Sequence, residues 1–160
     1  YVTLLCLLDL SAAFDTVDHV ILLDRLHHSY GISGPALRWF QSYLTGRTQS
    51  VCFDGRQSAV STVLYGVPQG SVLGPILLIL YSAEVIEIVG KCGFSVHAYA
   101  DDLQIYGDAD VSGCASLVTR LSACEEEIKE WMASSRLRLN AAKTEFIWLG
   151  HSRYVQQCPT

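Results

Sequence analysis

Basic residues are scarce in this 160-residue chain, where 11 lysines and arginines stand against 16 aspartates and glutamates. The formal net charge is −5 at pH 7, whereas proteins that grip nucleic acid usually present a basic surface. The composition therefore argues against strong capture of nucleic acid by this segment alone. Part of the acidity comes from a predicted solvated helix face at residues 125–130.

Zinc motifs are also lacking. The six cysteines are scattered, with no Cys-x-x-Cys spacing and no matching histidines, so a zinc site is not expected. Several fall on apolar faces and are expected to behave as small buried hydrophobes. This cysteine usage favours an intracellular, reducing setting.

No targeting segment is visible, and we expect no membrane-spanning run. The apolar stretch at residues 72–81 is interrupted by Glu84 and Glu87, well short of the ~20 residues that cross a bilayer. We therefore expect a buried helix and no membrane partner. No signal peptide, internal repeat or low-complexity tract is visible, and because the chain begins at Tyr1 rather than Met, we expect the natural N-terminus to be missing.

Half of the residues are hydrophobic, which is enough for one domain with a real core. Helices are predicted from caps and apolar spacing at residues 17–29, 35–45, 72–89 and 117–131. Strands are predicted at residues 1–8, 47–53, 58–64, 94–101, 103–106, 136–139 and 145–149. Strands that alternate with helices and hairpins indicate an open α/β or α+β sheet with helices packed on it.

The most informative feature is the pair Asp101 and Asp102, at the end of an alternating apolar and polar run over residues 94–101. Such alternation is typical of a half-buried strand. Adjacent strand residues point to opposite faces, so the two carboxylates serve one site only at a turn, and we predict a β-hairpin with the pair at its tip. Two carboxylates about 4 Å apart repel by roughly 4 kcal/mol at an effective dielectric of 20. The pair is therefore either a solvated turn or the ligand of a divalent cation.

Two further segments carry polar groups in unusual places. The nearly all-apolar residues 1–8 are typical of a central strand covered on both faces, and this strand ends in Asp9. Core packing explains that carboxylate poorly, although a solvated strand end stays open. Residues 66–71 (GVPQGS) predict a tight loop in which Ser71 caps the next helix. In the same loop, Gln69 can donate and accept hydrogen bonds to a nucleotide or template.

Other polar residues have simpler interpretations. Asp15 and Asp18 precede an apolar-periodic stretch and are predicted to cap a helix start rather than to bind metal. Asn140 is predicted to make a turn. Taken alone, Phe14 is interpreted as a core residue, and Lys143 as either a solvated lysine or a proton donor.

Together these segments resemble the reverse transcriptases of the non-LTR (LINE-type) retrotransposon branch. Similar to motifs A, B, C and D in turn are residues 9–15 (DLSAAFD), 66–71 (GVPQGS), 99–102 (YADD) and 137–145 (LRLNAAKTE). Four motifs in the right order are strong evidence, although each one is weak alone. The resemblance implies a reverse transcriptase palm over residues 1–150, with residues 151–160 as a tail toward a missing thumb.

The resemblance implies an α+β fold, the right-hand palm of a polymerase: a small, mostly antiparallel sheet with helices packed on it, fingers and thumb being largely absent. It implies RNA-directed DNA polymerase activity, in which dNTPs are transferred onto a primer 3′-hydroxyl with two Mg²⁺ ions, for which Mn²⁺ can substitute. The implied partners are an RNA template, a DNA primer and the missing fingers, thumb and endonuclease domains of the same polyprotein. The implied location is the cytoplasm and nucleus, as a ribonucleoprotein.

The resemblance also assigns roles at the first and third motifs. Asp9 and Asp101 are the expected principal metal ligands, with Asp102 assisting. Phe14 falls where the family carries the bulky residue that excludes a 2′-hydroxyl, which favours deoxynucleotides. These roles agree with the preference of Mg²⁺ for carboxylate oxygens.

At the other two motifs, Gln69 and Gly70 are expected to contact the incoming nucleotide and template. Lys143 is expected near the triphosphate, where it can protonate the leaving pyrophosphate.

Two alternatives stay open: a palm polymerase that copies RNA into RNA, against which the bulky Phe14 argues, and an inactive retroelement remnant or binding module. Without fingers and thumb, the fragment is expected to be inactive alone.

Overall fold

The structure is a computed structural model that describes residues 1–99 and 101–159. The strands in chain order are β1 (Val2–Asp9), β2 (Thr48–Gln49), β3 (Cys52–Phe53), β4 (Arg56–Gln57), β5 (Ser61–Thr62), β6 (Ser95–Tyr99), β7 (Asp102–Ala109) and β8 (Glu145–Leu149). The α-helices are α1 (Ala13–Thr16), α2 (His19–His28), α3 (Gly34–Leu44), α4 (Leu73–Ser82), α5 (Glu84–Lys91), α6 (Cys114–Ser134) and α7 (Ser152–Val155). Short 3₁₀ turns occur at Val111–Gly113 and Ala141–Lys143.

The chain divides into two compact units. The sheet unit comprises Tyr1–Ser11 and Ser82–Thr160, and the helical unit comprises Ala12–Tyr81. The sheet unit contains the four long strands, and the helical unit contains four two-residue strands. The division predicted from the sequence, residues 1–150 and 151–160, stays a prediction.

A four-stranded antiparallel sheet forms the centre of the sheet unit, in the order β6-β7-β1-β8. The central place predicted for β1 is confirmed. Its predicted cover on both faces is wrong, because buried residues alternate with partly exposed ones along the whole strand. Helices α5 and α6 pack against β6, β7 and β1, so one face of the sheet is covered and the other is left partly open.

The predicted hairpin is confirmed, but Asp101 alone of the two aspartates lies in its turn, because Asp102 already belongs to β7. Strands β6 and β7 pair antiparallel, with Tyr99 opposite Asp102, and Asp101 lies in the turn. Ala100, which the alternating pattern assigned to the apolar face of the strand, lies outside the described residues.

Residues 136–139 do not form the predicted strand. Only Leu139 makes a bridge, to Leu10. Arg136 has a positive φ of 54°, and the Leu137 N–H donates to the Met132 carbonyl at 2.8 Å. This backbone therefore terminates α6 instead of extending into the sheet.

The predicted amphipathic helix is confirmed as α6, whose buried face comprises Cys114, Leu117, Leu121, Cys124, Ile128 and Met132. Apolar spacing that ends at residue 131 puts Trp131 at the last position of that face, but Met132 occupies the last buried position. The Trp131 indole is half-buried and donates to Glu84 Oε2 at 2.8 Å. Its polar N–H therefore finds a partner at the edge of the core.

The helical unit is built from locally determined pieces. The Asp18 carboxylate accepts from the Val20 and Ile21 N–H groups, which confirms the predicted cap of α2. A hairpin around Asp54 and Gly55, both at positive φ, joins β3 and β4 between the predicted strands at residues 47–53 and 58–64. The strands of this region are shorter than predicted and exposed, and among the described residues each pairs with one strand alone, an arrangement that is only marginally stable.

The apolar segment Leu73–Lys91 forms α4 and α5, on either side of Ala83. In the described part of the chain it is the one helical segment that is long and apolar enough to cross a membrane by length and composition, and 39% of its apolar window is buried. The core helix of a soluble protein meets the same criteria. The absence of a membrane partner stays a prediction.

Candidate active site

Two of the predicted site aspartates face each other across the sheet. Asp9 ends β1, Asp102 begins β7, and the two are direct partners in the antiparallel register. Directly opposed side chains lie on the same face, with Cβ atoms about 4.5–5.5 Å apart. Like charges in this position destabilise a sheet, so a positive charge beside the two carboxylates would stabilise this register.

Asp101 is placed differently. It lies in the turn before β7, one residue before the partner of Asp9, and is partly exposed. The sequence interpretation made Asp101 a principal ligand and Asp102 its assistant. The strand register brings Asp102 opposite Asp9, and the division of roles between the two neighbours stays a prediction.

The Asp9 carboxylate has two side-chain partners from one short segment. Asn140 Nδ2 donates to Asp9 Oδ2 at 3.0 Å, and Lys143 Nζ lies 3.2 Å from Asp9 Oδ1. The Asn140 backbone N–H also donates to the Asp9 carbonyl, at 2.9 Å. Asn140 does make the predicted turn, accepting from the Lys143 N–H at 3.0 Å, but its contact with Asp9 was missed. No local pattern signals it, because the two residues are 131 positions apart.

An open cavity of about 450 Å³ adjoins these residues. Its polar lining consists of Asp9, Asp102, Gln104, Lys143 and Glu145. Glu145 was not singled out by the sequence motifs as a site residue; it reaches this cavity because β8 pairs with β1, with Glu145 opposite Leu7. Three carboxylates and a single ammonium group make the lining suited to a cation.

The donor set fits a hard divalent cation, since carboxylate oxygens are the ligands that Mg²⁺ and Mn²⁺ prefer. The Lys143 ammonium, which contacts Asp9 Oδ1, supplies positive charge where a metal ion would bind. Among residues 1–99 and 101–159, no three His, Cys, Asp or Glu side chains converge into a ready metal-binding group. A bound ion would therefore rely on two of these carboxylates, with water or substrate oxygens completing its coordination.

In the helical unit, the loop predicted from GVPQGS is tied tightly to the segment that carries Phe14. Val67 N–H donates to the Phe14 carbonyl at 2.7 Å, and Gly66 N–H donates to the Val17 carbonyl at 2.8 Å. Gly66 has φ +84°, and a Cβ added there would lie 2.8 Å from the Phe14 carbonyl oxygen. Only glycine fits this position without strain.

Polar side chains hold the same loop from outside. The Gly66 carbonyl accepts from Arg47 Nη1 at 2.8 Å and lies 2.9 Å from His19 Nε2. Ser71 Oγ accepts from the Gly74 N–H at 2.9 Å, which confirms its predicted capping role at α4. The loop is thus anchored at both of its ends.

The predicted nucleotide-contacting residues lie at the free middle of the loop. Gln69 is exposed, with its Nε2 at 3.5 Å from Asp15 Oδ1, and Gly70 is exposed with open space where a Cβ would be. Both Asp15 and Gln69 line an open cavity of about 630 Å³. Phe14 is half-buried. This exposure is compatible both with a core residue and with a residue that excludes a 2′-hydroxyl, so its role stays a prediction.

Sequence comparison identifies relatives along nearly the whole chain. Residues 1–155 match the family model described as reverse transcriptase (RNA-dependent DNA polymerase). The chain is 29% identical to the RNA-directed DNA polymerase from mobile element jockey of Drosophila funebris, over 96% of this chain and 17% of that protein. It is 29% identical to the Pol polyprotein from the type-1 retrotransposable element R2 of Popillia japonica, over 70% of this chain and 20% of that protein. The chain thus spans a fifth or less of the length of these relatives.

Structural comparison gives a matching result for the fold. Apo telomerase from Candida tropicalis, truncated from its C-terminal domain, superposes with a TM-score of 0.71 at 14% identity, over 94% of this chain and 31% of that one. Telomerase from the same organism with a TWJ fragment of telomeric RNA gives 0.73 at 15% identity, over 94% and 26%. At this identity the likeness shows the fold alone. The predicted α+β fold, a mostly antiparallel sheet with helices packed on it, is confirmed.

Proposed function

The chain belongs to the reverse transcriptase family, and we propose that it is the palm segment of an RNA-directed DNA polymerase of a non-LTR retrotransposon. The proposed reaction transfers a dNTP onto a primer 3′-hydroxyl. The observation that carries the proposal is the register that sets Asp9 directly opposite Asp102, beside an open cavity with an acidic lining. Two carboxylates that face each other in this way destabilise a sheet unless a cation binds them.

The proposed substrates and partners follow from the family. They are an RNA template, a DNA primer, dNTPs and other domains of a longer polyprotein, acting as an intracellular ribonucleoprotein in the cytoplasm and nucleus. In support, relatives named as RNA-directed DNA polymerases match across nearly the whole chain. The net charge of −5 leaves electrostatic grip on nucleic acid to regions outside these 160 residues.

The carboxylates of Asp9, Asp101 and Asp102 would hold two Mg²⁺ ions. When bound, such ions activate an attacking hydroxyl and stabilise the leaving phosphate in an in-line displacement. Asn140 orients Asp9 through the hydrogen bond that its side-chain amide donates to Asp9 Oδ2. The Lys143 ammonium is close enough to Asp9 to lie beside incoming phosphates, and it can donate a proton to the leaving pyrophosphate.

In the helical unit, we assign Gln69 and Gly70 to contacts with nucleotide and template, and Phe14 to exclusion of a 2′-hydroxyl. The exposed amide of Gln69 and the open backbone at Gly70 support the first assignment. The Gly66 carbonyl, held by Arg47, anchors the loop on which they lie. For Phe14, the support is its place in a segment whose backbone the same loop ties down.

Primer extension on an RNA template tests the proposal. Because the segment alone is expected to be inactive, it is assayed within a longer polyprotein that supplies fingers and thumb, with Mg²⁺ and either dNTPs or NTPs, beside Asp102→Asn and the control Asp108→Asn. Asp108 lies on the same face of β7 at its other end, opposite Thr3. We expect DNA synthesis that Asp102→Asn lowers on the order of a hundredfold or more and that Asp108→Asn retains. A wild-type polyprotein as inactive as its Asp102→Asn variant would contradict the activity, and preferential use of NTPs would contradict the choice of substrate.

A further inference from the structure

Both oxygens of the Asp9 carboxylate are occupied by groups from the turn at residues 140–143. Asn140 Nδ2 donates to Oδ2 at 3.0 Å, and Lys143 Nζ contacts Oδ1 at 3.2 Å. The Asp9 side chain is only 18% exposed, whereas the Lys143 side chain is 64% exposed. One carboxylate is thus neutralised by a cation that belongs to the chain itself.

The two contacts differ in how firmly they are held. Asn140 is fixed by its backbone as well, since its N–H donates to the Asp9 carbonyl at 2.9 Å and its carbonyl accepts from the Lys143 N–H at 3.0 Å. Lys143 reaches Asp9 only through a long, largely exposed side chain, so solvent and salt screen this contact and ordering the flexible side chain costs entropy. We therefore expect the hydrogen bond from Asn140 to Asp9 to be kept when the ion pair between Lys143 and Asp9 is broken.

We propose that Lys143 is a stand-in cation, which neutralises Asp9 while no divalent metal is bound and is displaced from Oδ1 when a metal binds. Asn140 is the positioning residue that keeps the Asp9 carboxylate oriented in both states. The inference rests on the proposed function, because it requires Asp9 to be a metal ligand. It goes beyond that function because the metal must compete with Lys143 for Asp9 Oδ1.

The competition has an electrostatic basis. With Asp102 opposite Asp9, the metal-free site holds two facing negative charges, and the ammonium relieves their repulsion. A divalent ion at Asp9 would be repelled by an ammonium only a few ångströms away, so the two cannot share Oδ1. Once displaced, the flexible Lys143 side chain stays within reach of the cavity that it lines with Asp9 and Asp102.

Direct metal titration tests the proposal without relying on catalysis. Mn²⁺ binding to the chain is measured from the loss of the free-ion EPR signal, for wild type and for Lys143→Ala, Lys143→Arg and Asn140→Ala. We expect Lys143→Ala to bind Mn²⁺ about two- to fivefold more tightly, in line with the weak coupling of an ion pair whose cation is exposed to solvent. Lys143→Arg should keep the wild-type affinity, because it keeps the charge. Asn140→Ala should bind more weakly, because Asp9 loses its orienting donor.

Lys91→Ala is the matched control for net charge. Lys91 lies at the end of α5, before the end of β6 that is remote from Tyr99, the partner of Asp102. Its removal should leave Mn²⁺ affinity unchanged. Equal affinity in Lys143→Ala and wild type, or equal tightening in Lys143→Ala and Lys91→Ala, would overturn the stand-in role.

The melting temperature in EDTA provides a second, independent measurement. Lys143→Ala should melt lower than wild type in EDTA and gain more on addition of Mn²⁺, because a ligand of the folded state stabilises it. If Asn140→Ala lowers the melting temperature but leaves Mn²⁺ affinity unchanged, its role is structural and the positioning assignment fails. No Mn²⁺ binding by wild type would instead contradict the metal site of the proposed function, so the two failures are distinguishable.

Discussion

The sheet unit and the helical unit position their candidate functional residues by different means. In the sheet unit, Asp9 gains its neighbours through strand register and through contacts that are 131 and 134 positions distant in the chain. In the helical unit, the loop with Gln69 and Gly70 is positioned by backbone hydrogen bonds and by one glycine that no other residue can replace without strain.

The difference corresponds to what each group of residues is proposed to do. Carboxylates that share a cation require fixed spacing, which neighbouring strands of a sheet provide. Residues that contact a nucleotide and a template require an exposed surface, which an anchored loop provides while its middle stays open. Substitutions that strain the backbone should therefore impair the helical unit most. Substitutions of charged or buried residues should impair the sheet unit most.

The largest contrast is expected in cysteine reactivity. Burial raises the pKa of Cys6 and of Cys124 in the sheet unit to about 12, whereas Cys52 in the helical unit is exposed. At pH 8 a thiol of pKa about 12 is only about one part in 10,000 thiolate. We expect iodoacetamide to alkylate Cys52 more than a hundredfold faster than Cys6 or Cys124 in the native protein.

Peptide mass spectrometry after timed alkylation measures these rates. The rates of the two buried thiols should rise about tenfold per pH unit between pH 8 and 10, because their thiolate fraction does. Similar native rates for Cys52 and Cys6 would show that the sheet unit opens readily, and the contrast between the units would disappear.

Gly66→Ala should destabilise the helical unit by about 3 kcal/mol. The new Cβ would meet the Phe14 carbonyl oxygen at 2.8 Å and the Asp15 Cα at 2.9 Å, at a φ of +84°. It therefore combines left-handed strain with overpacking. Urea denaturation measures the free energy of unfolding.

Gly70→Ala is the matched control for this prediction. Gly70 also has a positive φ, of 77°, but open space where the Cβ would be, so only the left-handed strain of about 1 kcal/mol remains. Equal losses for the two variants would show that close packing against the Phe14 segment contributes nothing.

Asp102→Asn should stabilise the metal-free sheet unit by about 0.5 kcal/mol, because it removes the repulsion from Asp9 across the strands. It should also abolish the rise in melting temperature on addition of Mg²⁺ or Mn²⁺. Urea unfolding in EDTA and thermal melts with metal are the measurements. Asp108→Asn serves as the control, because an amide oxygen can still accept from the Thr3 hydroxyl. A metal response that survives Asp102→Asn unchanged would count against Asp102 as a ligand.

The smallest effect is expected at Asp110, which begins the turn before α6. Its pKa is lowered by the Ser112 hydroxyl and the Gly113 N–H, which donate to its carboxylate. A lowered pKa means that this contribution to stability is present above the ordinary pKa of Asp and is lost as the pH falls through the folded value. Below about pH 4, the free energy of unfolding of Asp110→Asn should depend less on pH than that of wild type. An identical pH dependence would remove Asp110 from the acid response.

Much of the fold follows from local patterns in the sequence. The apolar spacing of α6, the Asp18 cap of α2 and the hairpin of the two aspartates were predicted because each depends on residues a few positions apart. Residues 136–139 were predicted wrongly as a strand, since the positive φ of Arg136 at the end of α6 leaves no trace in residue type.

The sequence by itself determined the family, the order of the motifs and the identity of the candidate carboxylates, because these depend on residue type and short spacing. Only the tertiary structure decided that Asp102 is the residue opposite Asp9, that Asn140 and Lys143 occupy the two oxygens of Asp9, and that Glu145 reaches the same cavity. Those facts depend on the register of β1 with β7 and β8. Register is set by the packing of the whole sheet, and a shift of one residue in β7 or β8 would turn Asp102 or Glu145 to the face opposite that of Asp9.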